Sequence, residues 1–134
     1  MYFPDLYRKN VASLLLFFPC LALAQDTAPQ TIYSLDSFSS QKPCAQSCFI
    51  FTGPGCLGDN VGSAIGCVTN ANCQRQTGAP NNCYCRTDLQ SAAESWITAC
   101  VKTACTVGDS KVDISIAGSL YNYYCSSKGF PVNV

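Results

Sequence analysis

Ten cysteines follow Ala24 in a chain of 134 residues, at positions 44, 48, 56, 67, 73, 83, 85, 100, 105 and 125, and no other feature restricts the fold so severely. An even number of thiols at that density is the composition of a small domain whose core is too thin to hold alone and is cross-linked instead. Five bridges are expected, each contributing about 2–4 kcal/mol by restricting the unfolded chain. Such bridges require an oxidising compartment, and the N-terminus supplies the route. Arg8 and Lys9 precede the apolar run Val11 to Ala24, VASLLLFFPCLALA, which closes on the small-x-small step Ala22-Leu23-Ala24. This has the form of a secretory signal and, broken by Pro19, is too short for a comfortable membrane span. Residues 1–24 are expected to be removed together with Cys20. Gln25 would then begin a secreted, extracellular chain with no transmembrane segment.

Cys83 and Cys85 stand one residue apart in NNCYCRTD. The chain has no histidine, which excludes Cys2His2 zinc sites, histidine facial triads and histidine-ligated haem. The C-x-C spacing also departs from the C-x-x-C of zinc knuckles and thioredoxin-like redox sites. In an extended backbone the two Cα atoms would lie about 7 Å apart on one side, too far for an unstrained bridge. Each is therefore expected to pair elsewhere.

Without histidine, Ser-His-Asp and Cys-His catalysis cannot be built. The acids after Ala24 are Asp26, Asp36, Asp59, Asp88, Glu94, Asp109 and Asp113. Nothing in their placement marks a glycosidase pair, since Asp88, Asp109 and Asp113 suit helix starts and turns and Glu94 suits an exposed helix face. A non-enzymatic protein is expected. The bases Lys42, Arg75, Arg86, Lys102, Lys111 and Lys128 are scattered along the chain, without the patch that a nucleic-acid partner needs. There is no Asn-x-Ser/Thr sequon for N-glycosylation.

Residues 25–42, rich in Ser, Thr and Gln, have the composition of a flexible leader open to O-glycosylation. In the alternative, Ile32, Tyr33, Leu35 and Phe38 fold back on the domain as an ordered arm. Beyond it, Asp88 to Thr103 is expected to be helical, opened by a capping box at Thr87-x-x-Gln90. Leu89, Ala93, Trp96, Ile97, Cys100 and Ala104 form its buried stripe, and Trp96 is the core anchor. A second helix is expected from Asp113 to Ser127, with Ala117, Tyr121, Tyr124 and Cys125 on one stripe and Gly129 and Pro131 as its stop. Val112, Ile114 and Ile116 alternate, so a short strand competes for its start. CAQSCFIF carries Cys44 and Cys48 on one helical face, and GDNVGSAIGC and NANCQRQ suggest further short helices. The expected fold class is all-α, a compact bundle of short helices stapled by about five disulfides.

The series Pro43-Cys44-Ala45-Gln46-Ser47-Cys48, Cys73, Cys83-Tyr84-Cys85, Cys100, Cys105 and Cys125 resembles the eight-cysteine CFEM domain of fungal secreted and cell-surface proteins. The likeness covers residues 43–130 and leaves 131–134 as a short tail. Cys56 and Cys67 lie in a stretch, TGPGCLGDNVGSAIGC, that the usual pattern lacks, and Pro43 directly precedes the first cysteine where the family places one residue between them. The resemblance implies the bridges Cys44–Cys105, Cys48–Cys100, Cys73–Cys83 and Cys85–Cys125, leaving Cys56–Cys67 to close the extra stretch as a fifth.

Members of that family bind haem iron through an aspartate between the third cysteine and the C-x-C. Here that segment is QRQTGAPNN, without aspartate. Asp59 and Tyr84 are the candidate substitutes as iron ligands, and their ordinary roles are a turn acid and a packed aromatic. Two functions follow. The first is a cysteine-rich interaction protein of the extracellular space or cell wall, including an effector, with an extracellular or cell-wall partner. The second is a haem-binding module for iron acquisition. The missing aspartate favours the first. The sequence as it stands closes on KGFPVNV without an apolar tail, so a free secreted protein is expected.

Overall fold

The computed structural model describes residues 26–53, 56–68 and 78–133. The expected signal peptide, residues 1–24, and the helix expected in NANCQRQ lie outside them. A 3-10 turn, Ile32–Ser34, and helix α1, Asp36–Ser39, lead into α2, Pro43–Phe49. Strands β1, Ile50–Gly53, and β2, Cys56–Asp59, follow, then α3, Asn60–Ala64, α4, Asn81–Tyr84, and the long helices α5, Thr87–Ala104, and α6, Ser110–Ser127. The all-α expectation is thus corrected to a mostly helical domain with one antiparallel hairpin, in which Ile50 faces Asp59 and Thr52 faces Leu57. Its cause is local. Pro43 starts α2 at a position where its missing N–H is harmless, and Ile50, Phe51 and Thr52 form a β-branched and aromatic run suited to a pleated surface.

An ordered arm replaces the flexible leader expected over 25–42. The Gln30 N–H donates to the Ala79 carbonyl at 2.8 Å, and the Asn81 and Asn82 N–H groups donate to the Ala28 and Asp26 carbonyls at 2.9 and 2.8 Å. Ile32 is wholly buried, and Phe38 meets the Phe49 ring edge-on at 6.2 Å. Ile32, Leu35 and Phe38 reach the core, while Tyr33 is 39% exposed.

Helix α5 forms where expected, but its start and its buried face differ. Arg86 is the N-cap and no side chain caps it, so the capping box is not made. Gln90 is buried instead. Its amide donates to the Cys85 and Pro131 carbonyls at 3.1 and 2.7 Å and accepts from the Asn133 N–H at 2.9 Å, which ties the tail to the helix. The buried stripe is Gln90, Ala93, Ile97 and Val101. Trp96 therefore lies on the rim, 40% exposed, with its indole N–H donating to the Cys48 carbonyl at 3.2 Å.

The start of α6 is helical, and the competing strand is not formed. Asp109 is its N-cap, accepting from the Lys111 N–H at 2.9 Å. Gly129, at φ 84°, ends it. There the N–H groups of Gly129 and Phe130 donate to Ser126 and Cys125 carbonyls at 2.9 and 3.0 Å, a Schellman closure. Helix α3 ends in the same way at Gly66, φ 77°, with the Cys67 N–H donating to Gly62 at 2.7 Å.

Cys44–Cys105, Cys48–Cys100 and Cys85–Cys125 are joined, the pairs that the CFEM resemblance implies. The remaining two expected pairs are corrected: Cys67 joins Cys83, with Cα atoms 5.7 Å apart, in place of Cys56–Cys67 and Cys73–Cys83. The reason lies in the packing of the extra stretch. Val61 is wholly buried, and a Cβ on Gly62 would stand 2.7 Å from that of Ala79. Helix α3 is therefore pressed against the segment leading to Cys83, and its Schellman turn delivers Cys67 there. Cys73 and the Cys56 side chain lie outside the described residues. The C-x-C step sits at the end of α4, with Cys85 as its C-cap, rather than in an extended strand; its two cysteines do take different partners.

Pepsin digestion of the unreduced protein followed by tandem mass spectrometry should return Cys67 linked to Cys83. With all ten thiols oxidised, Cys56 is then left for Cys73. A peptide joining Cys56 to Cys67 would contradict this arrangement. Replacing Cys67 and Cys83 together by alanine should cost about 3 kcal/mol, the scale expected for a loop of this length, read as a lower urea midpoint.

Candidate functional site

The two candidate iron ligands are close together in the interior. Asp59 is the N-cap of α3, and its carboxylate accepts from the Gly62 N–H at 2.7 Å and the Ala79 N–H at 2.8 Å. Burial pushes its carboxyl above the ordinary value of 3.8, against the pull of the Ala79 and Gly62 N–H groups. Tyr84 is fully buried between Tyr121 and Tyr124, with ring centroids at 5.5 and 5.9 Å. Its burial, with the Asp59 charge adding to it, holds the phenol well above its usual range. To ligate iron, a carboxyl or phenol side chain must present an anionic oxygen that the metal can approach. Asp59 is only 4% exposed, with both oxygens taken by backbone, and Tyr84 is sealed. These residues do not fit a haem iron.

The surrounding polar groups have a structural role. Tyr124 Oη donates to Asn81 Oδ1 at 2.6 Å and accepts from the Thr31 N–H at 2.8 Å, and Tyr121 Oη donates to the Tyr84 carbonyl at 2.7 Å. They fasten the arm and α4 to α6. By contrast, Tyr84 Oη is buried without a hydrogen-bond partner among the described residues.

Concave surface is found elsewhere, between α1 and α6. A groove of about 630 Å³ has Leu35 and Asp36 on the arm side and Ile116, Leu120 and Tyr123 on the helix. A second hollow of about 410 Å³ continues it past Lys42, Val112 and Asp113, and the two share Gln41 and Ile116. Val112, Ile116 and Tyr123 are 53%, 49% and 62% exposed, so α6 carries a second apolar stripe beside the one it buries. The sequence contained that signal. Val112 and Ile116, four apart, pair on a helical face, but with Ile114 between them they also alternate as a strand would. At the far end Lys42 Nζ is held by Asp113 at 2.7 Å and the Val107 carbonyl at 3.0 Å.

No protein-family model matches the chain, and no curated protein or solved structure shows significant similarity to it. Among the described residues no helix is long and apolar enough to cross a membrane, and no group of three or more histidine, cysteine or acidic side chains is placed to hold a metal ion.

Tyr124→Phe removes a hydroxyl with two buried partners and should cost about 2–3 kcal/mol in urea unfolding. Tyr84→Phe removes an unpaired one and should be neutral or stabilising; an equal loss in both would mean that the Tyr84 hydroxyl has a partner. Asp59 carries a pH signature. Its folded-state pKa lies above the unfolded value, so its contribution is most favourable below 3.8 and is lost as pH rises through the raised value. Measured from pH 3 to pH 7, stability relative to Asp59→Asn should fall as pH rises, and a relative gain would show the opposite shift.

Proposed function

We propose that the chain is a secreted, CFEM-like interaction protein of the extracellular space or cell wall, of the kind that includes effectors, binding its partner without catalysis. One observation carries this: the open groove along α6, where half-exposed aliphatic and aromatic side chains stand on a frame held by four described disulfides. Concave, mostly apolar surfaces of a few hundred Å³ are the usual form of ligand sites. An extracellular setting is supported by the bridges themselves, which persist in oxidising compartments. The CFEM likeness is supported by Cys44–Cys105, Cys48–Cys100 and Cys85–Cys125, each joining cysteines that the family pattern pairs.

The native, oxidised protein should enhance the fluorescence of anilinonaphthalene sulfonate, and Ile116→Asp should abolish most of that signal while leaving the circular dichroism unchanged. Equal enhancement in the variant would place the apolar site elsewhere. Haemin titrated into the same protein should give no Soret shift; a clear one would restore the haem-binding alternative.

A further inference from the structure

Gln41 stands where the two hollows meet. It is 92% buried, being 8% exposed, and lines both of them. Among the described residues neither end of its side-chain amide has a hydrogen-bond partner: Oε1 and Nε2 are both unpaired. The backbone around it is satisfied, with the Gln41 N–H donating to Phe38 at 3.1 Å and its carbonyl accepting from Gln46 Nε2 at 2.8 Å. The unpaired groups are therefore confined to the side chain. A buried donor and acceptor left unmade are costly. Both amide atoms are shielded from water in the free chain, so a change of side-chain rotamer is required to present them to the groove that Gln41 lines.

We propose, building on the binding role of the α6 groove, that Gln41 is its specificity determinant and that the ligand is a small neutral amphiphile with a carboxamide head. The amide of such a ligand offers an N–H to Oε1 and a C=O to Nε2 at once. Its apolar body lies over Ile116, Leu120 and Tyr123, and the volume of about 630 Å³ suits a molecule of that size. Charge argues for a neutral head. Asp36 lies on the groove wall and Asp113 beyond the junction. The nearest cation, Lys42, is already held by Asp113 and the Val107 carbonyl. A carboxylate would pair with Nε2 alone and set its charge against Oε1.

Octanamide, methyl octanoate and octanoate provide the test, titrated into the ¹⁵N-labelled oxidised protein. Octanamide should shift the Gln41 side-chain NH₂ resonances and the Ile116 and Tyr123 amides, and bind about tenfold more tightly than the ester, the worth of one or two added hydrogen bonds. Gln41→Leu, which keeps the shape and removes both unpaired atoms, should abolish this preference and raise the melting temperature. Equal binding of amide and ester to the parent, or a preference that survives Gln41→Leu, overturns the role of Gln41 while leaving the groove as a binding site. Failure of every probe, and of the naphthalene dye as well, removes both. Shifts at Ile116 and Tyr123 that grow with protein concentration alone would assign the face to a second copy and overturn the proposal.

Discussion

Cys44 and Cys48, one turn apart on α2, are joined in reverse order to Cys105 and Cys100 at the end of α5, and this double link decides where the rest of the molecule can go. The first bridge closes a loop spanning 61 residues, which the chain-entropy estimate values at about 4 kcal/mol. Once it is made, the second closes only a short ring and adds little of that kind. Its effect is directional, because two links prevent α2 from pivoting on α5. The fixed helix then organises the arm. Gln46 Nε2 reaches back to the carbonyls of Phe38, Ser39 and Gln41 at 3.2, 3.2 and 2.8 Å, so α1 and the groove wall inherit their position from two disulfides.

The interior beyond those bridges is unusually polar for its size. Three tyrosines and Asn81, Gln90 and Asp59 are buried, and several of their polar atoms bond to backbone groups of segments without regular structure of their own. A thin core cannot position an irregular arm by apolar contact alone. Here the Tyr124 hydroxyl holds Thr31, the Asp59 carboxylate holds Ala79, and the Gln90 amide holds Pro131 and Asn133. Tyr84 Oη, buried without a partner among the described residues, marks where the network is incomplete.

The long helices were legible because their signals are local: a three- and four-residue apolar period and Gly129 at a stop. The interior polar groups were not. Gln90 reads as a capping partner because nothing in the sequence shows that Asn133 returns to it, and Trp96 reads as an anchor because the helix phase is set by which face α2 and α6 cover. The arm was ambiguous for the same reason, since Ile32 and Phe38 stand in a polar segment and are ordered by partners far along the chain. Bridges through α2, α5 and α6 followed the family pattern; the one through Cys67 followed the docking of α3, which rests on the fit of Gly62 against Ala79.

That docking bears on why the groove exists. Helix α6 has two apolar stripes, and one of them, Ala117, Tyr121, Tyr124 and Cys125, is consumed by the core. Had the extra stretch been an independent loop closed by Cys56 and Cys67, it would have been free to lie across the other stripe. Instead α3 is committed to the Ala79–Cys83 side through Asp59, Gly62 and the Cys67 bridge. Among the described residues the hollows at Ile116 and Tyr123 are walled by the arm and by Ala45 of α2, and α1 is four residues long, too short to cover a helix of 18 residues. With α3 held on that side, the stripe of Val112, Ile116 and Tyr123 stays half-exposed.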